Sequence, residues 1–434
     1  MEDKKTALLI TYYWPPAGGA GVHRWLRLSK YFIENGWKLH VYCPENAEWP
    51  IIDNELQKQV SSDLTIIRKS IFEPHKYLGK KNNPNVSAGL TRKSKSSIIQ
   101  KLIIWTRGNL FIPDARVFWI RPSYRFLKKY LNEHPEITTI ISTGPPHSLH
   151  VIGRKLKKER PKIKWVADFR DPWTDIDFYQ ELLPGKWADK RQHELEKKCL
   201  QEADAIVTIS DNCAEDLSKI GQRTVEVITN GYNFPYFDEE KIDLDSKFTI
   251  AHFGSMSFPR NPEILWKVLS DICQENNSFK NDLLINLFGP ADFTIFERLT
   301  FHQLDSNYKH ISLVTHQESI QMQRTSQIML LVANRTGNVK GILTGKFFEY
   351  LGAKRPILAI GETDSDLETA INLTQCGTFI SYEDYSTTRE EILKWYDLFQ
   401  ENKLKCNSIN LDMYSSQSLA KKYCALLDSL LQLK

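Results

Sequence analysis

The 434-residue sequence has no apolar run near the roughly 20 residues that a membrane-spanning helix needs. Its opening, Met-Glu-Asp-Lys-Lys, leads into a short strand-like stretch rather than a signal-peptide core, so no targeting segment is expected there. Cysteine is sparse and scattered: Cys43, Cys199, Cys213, Cys273, Cys376, Cys406 and Cys424 form no CxxC pair and no Cys/His cluster. A disulfide framework or structural zinc is therefore not expected, and a reducing cytoplasm fits best. A dominant charge is also missing, since the formal net charge is only +4. Hydrophobic residues at 41% and charged residues at 25% describe a globular chain with little room for disorder. Its length exceeds one ordinary core and favours two or three domains.

Acid is lacking in one region above all. Residues 76–129 hold thirteen lysines and arginines against the single acid Asp114. "KKNNPNVSAGLTRKSKSS" reads as a loop and "IIQKLIIWTRGNLFIP" as an apolar, basic-flanked helix. The segment is a solvated loop beside a core helix, or a docking surface for an anionic membrane that places the protein on its inner face. Nucleic-acid binding is the third reading, but no binding module stands nearby, so no nucleic-acid partner is expected.

What is present is alternation. Ala7–Tyr13 reads as a buried strand, "WPPAGGAG" as a turn, and Val22–Ile33 as an amphipathic helix, with a second strand at Leu39–Tyr42. This βαβ opening places its loop where ligands bind in open α/β sheets. Gly18, Gly19 and Gly21 allow positive φ and close approach, and the next helix would aim free amides at an anion. Arg24 stands where the third glycine of G-x-G-x-x-G belongs, and its guanidinium suits a phosphate. Strands follow at Ile137–Ser142, Trp165–Ala167, Ala205–Ile209 and Val225–Ile228, with a helix at Lys186–Glu202. After a polar break the pattern restarts, with strands at Phe248–Phe253, Leu283–Phe288, Ile311–Val314, Ile328–Val332 and Pro356–Ile360. The expectation is two Rossmann-like α/β domains facing across a cleft. Their bounds are 1–233 and 248–412, with a linker at 234–247 and a closing helical segment at 413–434.

Four stretches carry polar residues at strand ends or expected helix starts. "GPPHSLH" holds His147 and His150, and "DFRDPW" holds Asp168, Arg170, Asp171 and Trp173. D-x-x-D is a weak metal signal, and an internal Asp–Arg pair stiffening the loop is the alternative. In a parallel sheet these loops and the glycine loop open on one edge. "GSMSFPRNP" places Gly254 in a turn and Arg260 at the expected helix start. "GKFFEYLGAKRP" places Gly345 before Lys346 and Glu349, which share a helix face at i, i+3. A surface salt bridge is the plain reading of that pair. At a helix start, however, the ammonium suits a diphosphate and the carboxylate a ribose diol.

Taken in order, "PPAGGAGVHRWLRL", "STGPPHSLHVIG", "WVADFRDPW", "ITNGYN", "AHFGSMSFPRNPEIL" and "GKFFEYLGAKRPILAIG" resemble a family 4 glycosyltransferase of the GT-B fold, particularly bacterial members that build surface polysaccharides. The resemblance implies retaining transfer from a nucleotide-diphosphate sugar to a glycan or lipid-linked glycan acceptor, with neither cofactor nor metal. It assigns Arg260 and Lys346 to the diphosphate and Glu349 to the ribose. Gly18, Gly19, Gly21, Gly254 and Gly345 lie along the donor. His150, or else His147, stands near the reacting sugar with Asp171, while Arg24, Asp168, Arg170 and Trp173 shape the acceptor side. Two positions depart from the family: Gly341 replaces the first glutamate of E-x7-E, and Ser255 stands where relatives often have arginine. A nucleotide-sugar 2-epimerase of the same fold, or a non-catalytic transferase-like subunit, is the rival reading.

Overall fold

The computed structural model describes residues 5–49, 51–73, 98–176, 179–233, 242–335, 340–341 and 343–432. The loop expected around residues 80–97 and most of the expected linker lie outside them. Two compact units divide the chain. One runs up to Gly231 and includes Tyr414–Lys434; the other holds Tyr232–Met413.

The first unit is a seven-stranded sheet of β1 (Lys5–Ile10), β2 (Trp37–Pro44), β3 (Thr65–Lys69), β4 (Ile137–Gly144), β5 (Lys164–Phe169), β6 (Ala205–Thr208) and β7 (Glu226–Val227). Its order is β3-β2-β1-β4-β5-β6-β7, and the paired strands run parallel. Both faces are covered, which explains the unbroken apolar run in β1. Leu8 and Ile10 enter one core with Trp165 and Phe169; Ala7 and Leu9 enter another with Trp25, Trp37 and Tyr423. Tyr423 belongs to the helix Ser416–Gln432, whose Leu419, Leu427 and Leu430 are buried in that second core. Asp428 adds an ion pair to Lys5 and accepts a 3.0 Å bond from Trp37 Nε1.

The second unit is a six-stranded parallel sheet of β8 (Phe248–Phe253), β9 (Leu283–Phe288), β10 (Tyr308–Ile311), β11 (Ile328–Val332), β12 (Ile357–Gly361) and β13 (Gly377–Ser381). Its order is β10-β9-β8-β11-β12-β13. The strand order reverses beside β1 in the first sheet and beside β8 in the second, the switch points at which such sheets bind ligands. One expected strand is displaced: β10 ends at Ile311 rather than beginning there. It is a largely exposed edge strand, so the apolar residues Ile311 to Val314 mark its end and the loop beyond. β3 and β13, also at sheet edges, were not expected from the pattern.

Candidate functional site

Each unit gathers polar side chains at the carboxyl edge of its sheet. In the first, Arg170 is the tie. From the loop after β5 it donates Nε to the Gly144 carbonyl (3.1 Å), Nη1 to that of Gly21 (2.6 Å) and Nη2 to that of Pro145 (2.8 Å). One planar guanidinium thereby fastens the segments after β1, β4 and β5 together, the convergence expected from the topology. Arg24 is equally committed. It donates Nε and Nη2 to both Asp168 oxygens (3.2 and 2.9 Å) and Nη1 to the Thr229 carbonyl (2.7 Å). Trp25 Nε1 adds a third bond to Asp168 at 2.7 Å.

These contacts say what the expected residues touch. Asp168 is 0% exposed and its oxygens accept from Arg24 and Trp25, so it is the buried half of an ion pair. The Asp–Arg pairing is real, but the partner comes from the helix Ala20–Ser29 rather than from Arg170. Arg24 is turned inward and holds no free fork for a phosphate. Trp173 is a buried wall: its indole donates to Gln192 at 2.8 Å and stacks on His147 at 4.9 Å. Asp171, half-buried, stays at the edge.

The two histidines are interior groups. His150 is fully covered, stacks 4.1 Å from Phe169, and sets Nδ1 3.0 Å from Ser142 Oγ. Its Nε2 and the Nδ1 of His147 are buried without hydrogen-bond partners among the described residues. Both flank Gly144, where a Cβ would stand 2.5 Å from the first and 3.1 Å from the second. Burial, with Arg170's charge adding to it, lowers His147 to about 3; burial, His147 and Arg170 hold His150 well below its ordinary value. Both are neutral imidazoles near pH 7.

Of the three glycines after β1, only Gly19 has positive φ (84°), as the N-cap of the helix. Gly21 lies within that helix, and a Cβ there would sit 2.9 Å from the Tyr13 ring; at Gly18 it would meet Ile51 at 2.7 Å. Packing, rather than backbone freedom, requires glycine at those two positions.

The second unit brings two cations together at the end of β8. Gly254 ends β8 with φ 92°, and the stem of Lys346 crosses it so closely that a Cβ would lie 2.7 Å from the lysine Cε. Lys346 Nζ sits 3.1 Å from His252 Nε2 and 3.4 Å from the Ser255 carbonyl. Because His252 Nδ1 donates to the Leu330 carbonyl at 3.0 Å, its Nε2 carries the lone pair that Lys346 meets. Arg260 reaches the same Ser255 carbonyl with Nη1 at 3.0 Å, while its Nε is buried without a partner among the described residues. Arg260 lies in a short 3-10 turn, Phe258–Arg260, and not at the helix start, which is Glu263. Pro262 sets that boundary by keeping Asn261 extended.

Lys346 opens the helix Gly345–Ala353, whose N-cap Thr344 makes no side-chain cap bond and whose buried hydroxyl has no partner among the described residues. Glu349 sits one turn on, yet Lys346 turns to His252 rather than to it. Burial chiefly, then Arg260, brings Lys346 down to about 7, with Glu349 pulling the other way. The same burial lowers Arg260. Two cations thus share one carbonyl at a helix N-terminus, an arrangement that an incoming anion would relieve. His252 was not singled out from the sequence; a histidine inside the fully buried strand β8 was the available signal.

No family model matches the chain, and no curated protein sequence matches it. Solved structures do. A sucrose-phosphate synthase from Thermosynechococcus elongatus aligns over 99% of this chain and 100% of its own, with a TM-score of 0.62 at 12% identity. Anabaena Alr3699/HepE in complex with UDP-glucose aligns over 98% and 97%, with a TM-score of 0.52 at 12% identity. WaaG, a glycosyltransferase involved in lipopolysaccharide biosynthesis, aligns over 98% and 97%, with a TM-score of 0.50 at 14% identity. With its two parallel α/β units, this chain has the fold of the GT-B glycosyltransferases.

Proposed function

We propose that the protein is a metal-independent, retaining glycosyltransferase that moves a sugar from a nucleotide-diphosphate donor to a glycan or lipid-linked glycan in polysaccharide biosynthesis. The observation that carries this reading is the meeting of Lys346 and Arg260 on the Ser255 carbonyl beside a helix N-terminus. As the sugar–phosphate bond breaks, negative charge grows on the leaving diphosphate. Two fixed cations and the amides of Gly345 and Lys346 stabilise it without rearranging, which is preorganised electrostatic catalysis. Glu349 takes the ribose, and Gly254 lets the backbone approach the donor. A bound UDP-glucose in one protein of this fold supports a donor of that class.

The acceptor belongs to the first unit, at the edge that Arg170 ties together and where Asp171 stands half-buried. His147 and His150 serve this edge as neutral groups that hold the Gly144 turn and donate no proton to the reaction. A cytoplasmic setting accompanies this reading.

Thermal stabilisation by UDP, GDP, TDP, ADP and CMP, with and without magnesium, tests the donor site. A shift with one diphosphate that persists without magnesium and vanishes in Glu349→Ala supports it; no shift with any of them sinks it. Incubation with the matching nucleotide sugar and no acceptor then separates transfer from epimerisation, because only an epimerase changes the sugar under those conditions.

A further inference from the structure

The first unit carries an open groove of about 840 Å³ across its helical layer, away from the loops described above. That volume falls in the range of about 300–1,000 Å³ typical of ligand pockets. The helices Val117–Glu133, Ser148–Glu159 and Lys186–Glu202 enclose it, and the end of Ile98–Leu110 closes one side. Its floor is apolar, with Ile120, Val151 and Leu195 buried beneath it. Its walls are apolar and uncovered: Trp187 is 70% exposed, Leu110 is 65% exposed, and Phe118 stands out as well.

The rim has one sign of charge. Arg121, Arg125, Lys155 and Arg191 line the groove, and among the described residues no acidic side chain does. Arg191 spends part of its charge on Glu194 at 3.6 Å, and Lys155 lies over the Tyr124 ring. Arg121 and Arg125 make no ion pair among the described residues, and both are exposed on one helix. The helix that supplies Leu110 also leaves Leu102, Ile103 and Trp105 exposed. An apolar trough rimmed by cations, closed on one side by a helix with further exposed apolar residues, matches one chemistry: acyl chains beneath phosphate headgroups.

We propose that this groove docks the protein on an anionic bilayer. An acyl chain enters between Phe118 and Trp187, while Arg121, Arg125 and Lys155 engage lipid phosphates. This surface lies outside the donor site, and its test reads no transfer activity.

The test is co-sedimentation of the full chain with phosphatidylglycerol/phosphatidylcholine vesicles and with pure phosphatidylcholine vesicles at low salt. At least tenfold stronger partition to the anionic vesicles is expected. That preference should be lost in Arg121→Glu/Arg125→Glu and reduced at least fivefold in Phe118→Ser/Trp187→Ser. All four side chains are exposed, and an unchanged melting temperature confirms that each variant is folded. Acyl chains brominated near their ends should quench wild-type fluorescence more than that of Trp187→Phe. Equal binding to both vesicles, binding to neither, or anionic binding that survives the Phe118/Trp187 change overturns the proposal; so does equal quenching of wild type and Trp187→Phe.

Discussion

Lys346 presents its ammonium to the one unprotonated nitrogen of His252, 3.1 Å away, and His252 is fixed in that tautomer by the Leu330 carbonyl. The lysine is therefore aimed by a neutral partner that leaves its charge uncompensated. An acid in place of His252 would have neutralised the site, whereas an imidazole acceptor positions the cation and keeps it available to a ligand.

The first consequence concerns pH. Lys346 is held at about 7 in the free protein, and a bound diphosphate favours its charged form, raising that value. Affinity for UDP or GDP is thus full below pH 7. Above it, affinity falls by up to about tenfold per pH unit until the bound-state value is passed. Titration calorimetry near pH 8, in two buffers of different ionisation enthalpy, should read uptake of close to one proton; no uptake would contradict the assignment.

Stability should move opposite to binding. The folded value of Lys346 lies below the ordinary lysine value of about 10.4, so its buried charge costs most below pH 7. That cost fades as pH rises from there toward 10. Lys346→Met should melt higher than wild type at pH 6, with the gap narrowing by pH 9, while nucleotide stabilisation is lost throughout. Melting curves across that range check both signs.

The Arg24–Asp168 pair should behave as a buried brace. Both side chains are almost fully enclosed, so Asp168→Ala leaves a guanidinium unpaired inside the unit and should cost about 3–5 kcal/mol. Arg24→Leu/Asp168→Ala should cost less than the sum of the single changes. Urea unfolding of the three variants measures the coupling; strict additivity would mean that the pair is inert.

Gly254→Ala tests the crossing of Lys346. The substitution meets both a positive φ of 92° and the lysine Cε at 2.7 Å. A loss of about 1–3 kcal/mol is expected from backbone strain, together with a weakened thermal response to UDP or GDP. Gly36→Ala is the control, since its φ is 80° but nothing lies within 4 Å of the added carbon. It should lose stability alone and keep the nucleotide response.

The central strands were legible in the sequence because burial on both faces demands unbroken apolar runs. Phe248–Phe253 and Leu283–Phe288 emerge with the bounds expected, as does the helix Lys186–Glu202. Edge strands β3, β10 and β13 lack that demand, so their composition resembles loop and they were missed or displaced. The site was legible in the same partial way. Residue types at strand ends and expected helix starts picked out Lys346, Arg260, Arg170 and Asp168, but not their partners.

By itself, then, the sequence determined the α/β alternation, the two halves and the places where chemistry-bearing residues concentrate, because periodicity and glycine placement are local. Partnership is long-range, and only the tertiary structure decided it. Arg24 meets Asp168 across 144 positions and Lys346 meets His252 across 94. Whether a cation is spent on a buried carboxylate or held ready by a neutral imidazole depends on what the fold brings beside it, and no spacing rule records that.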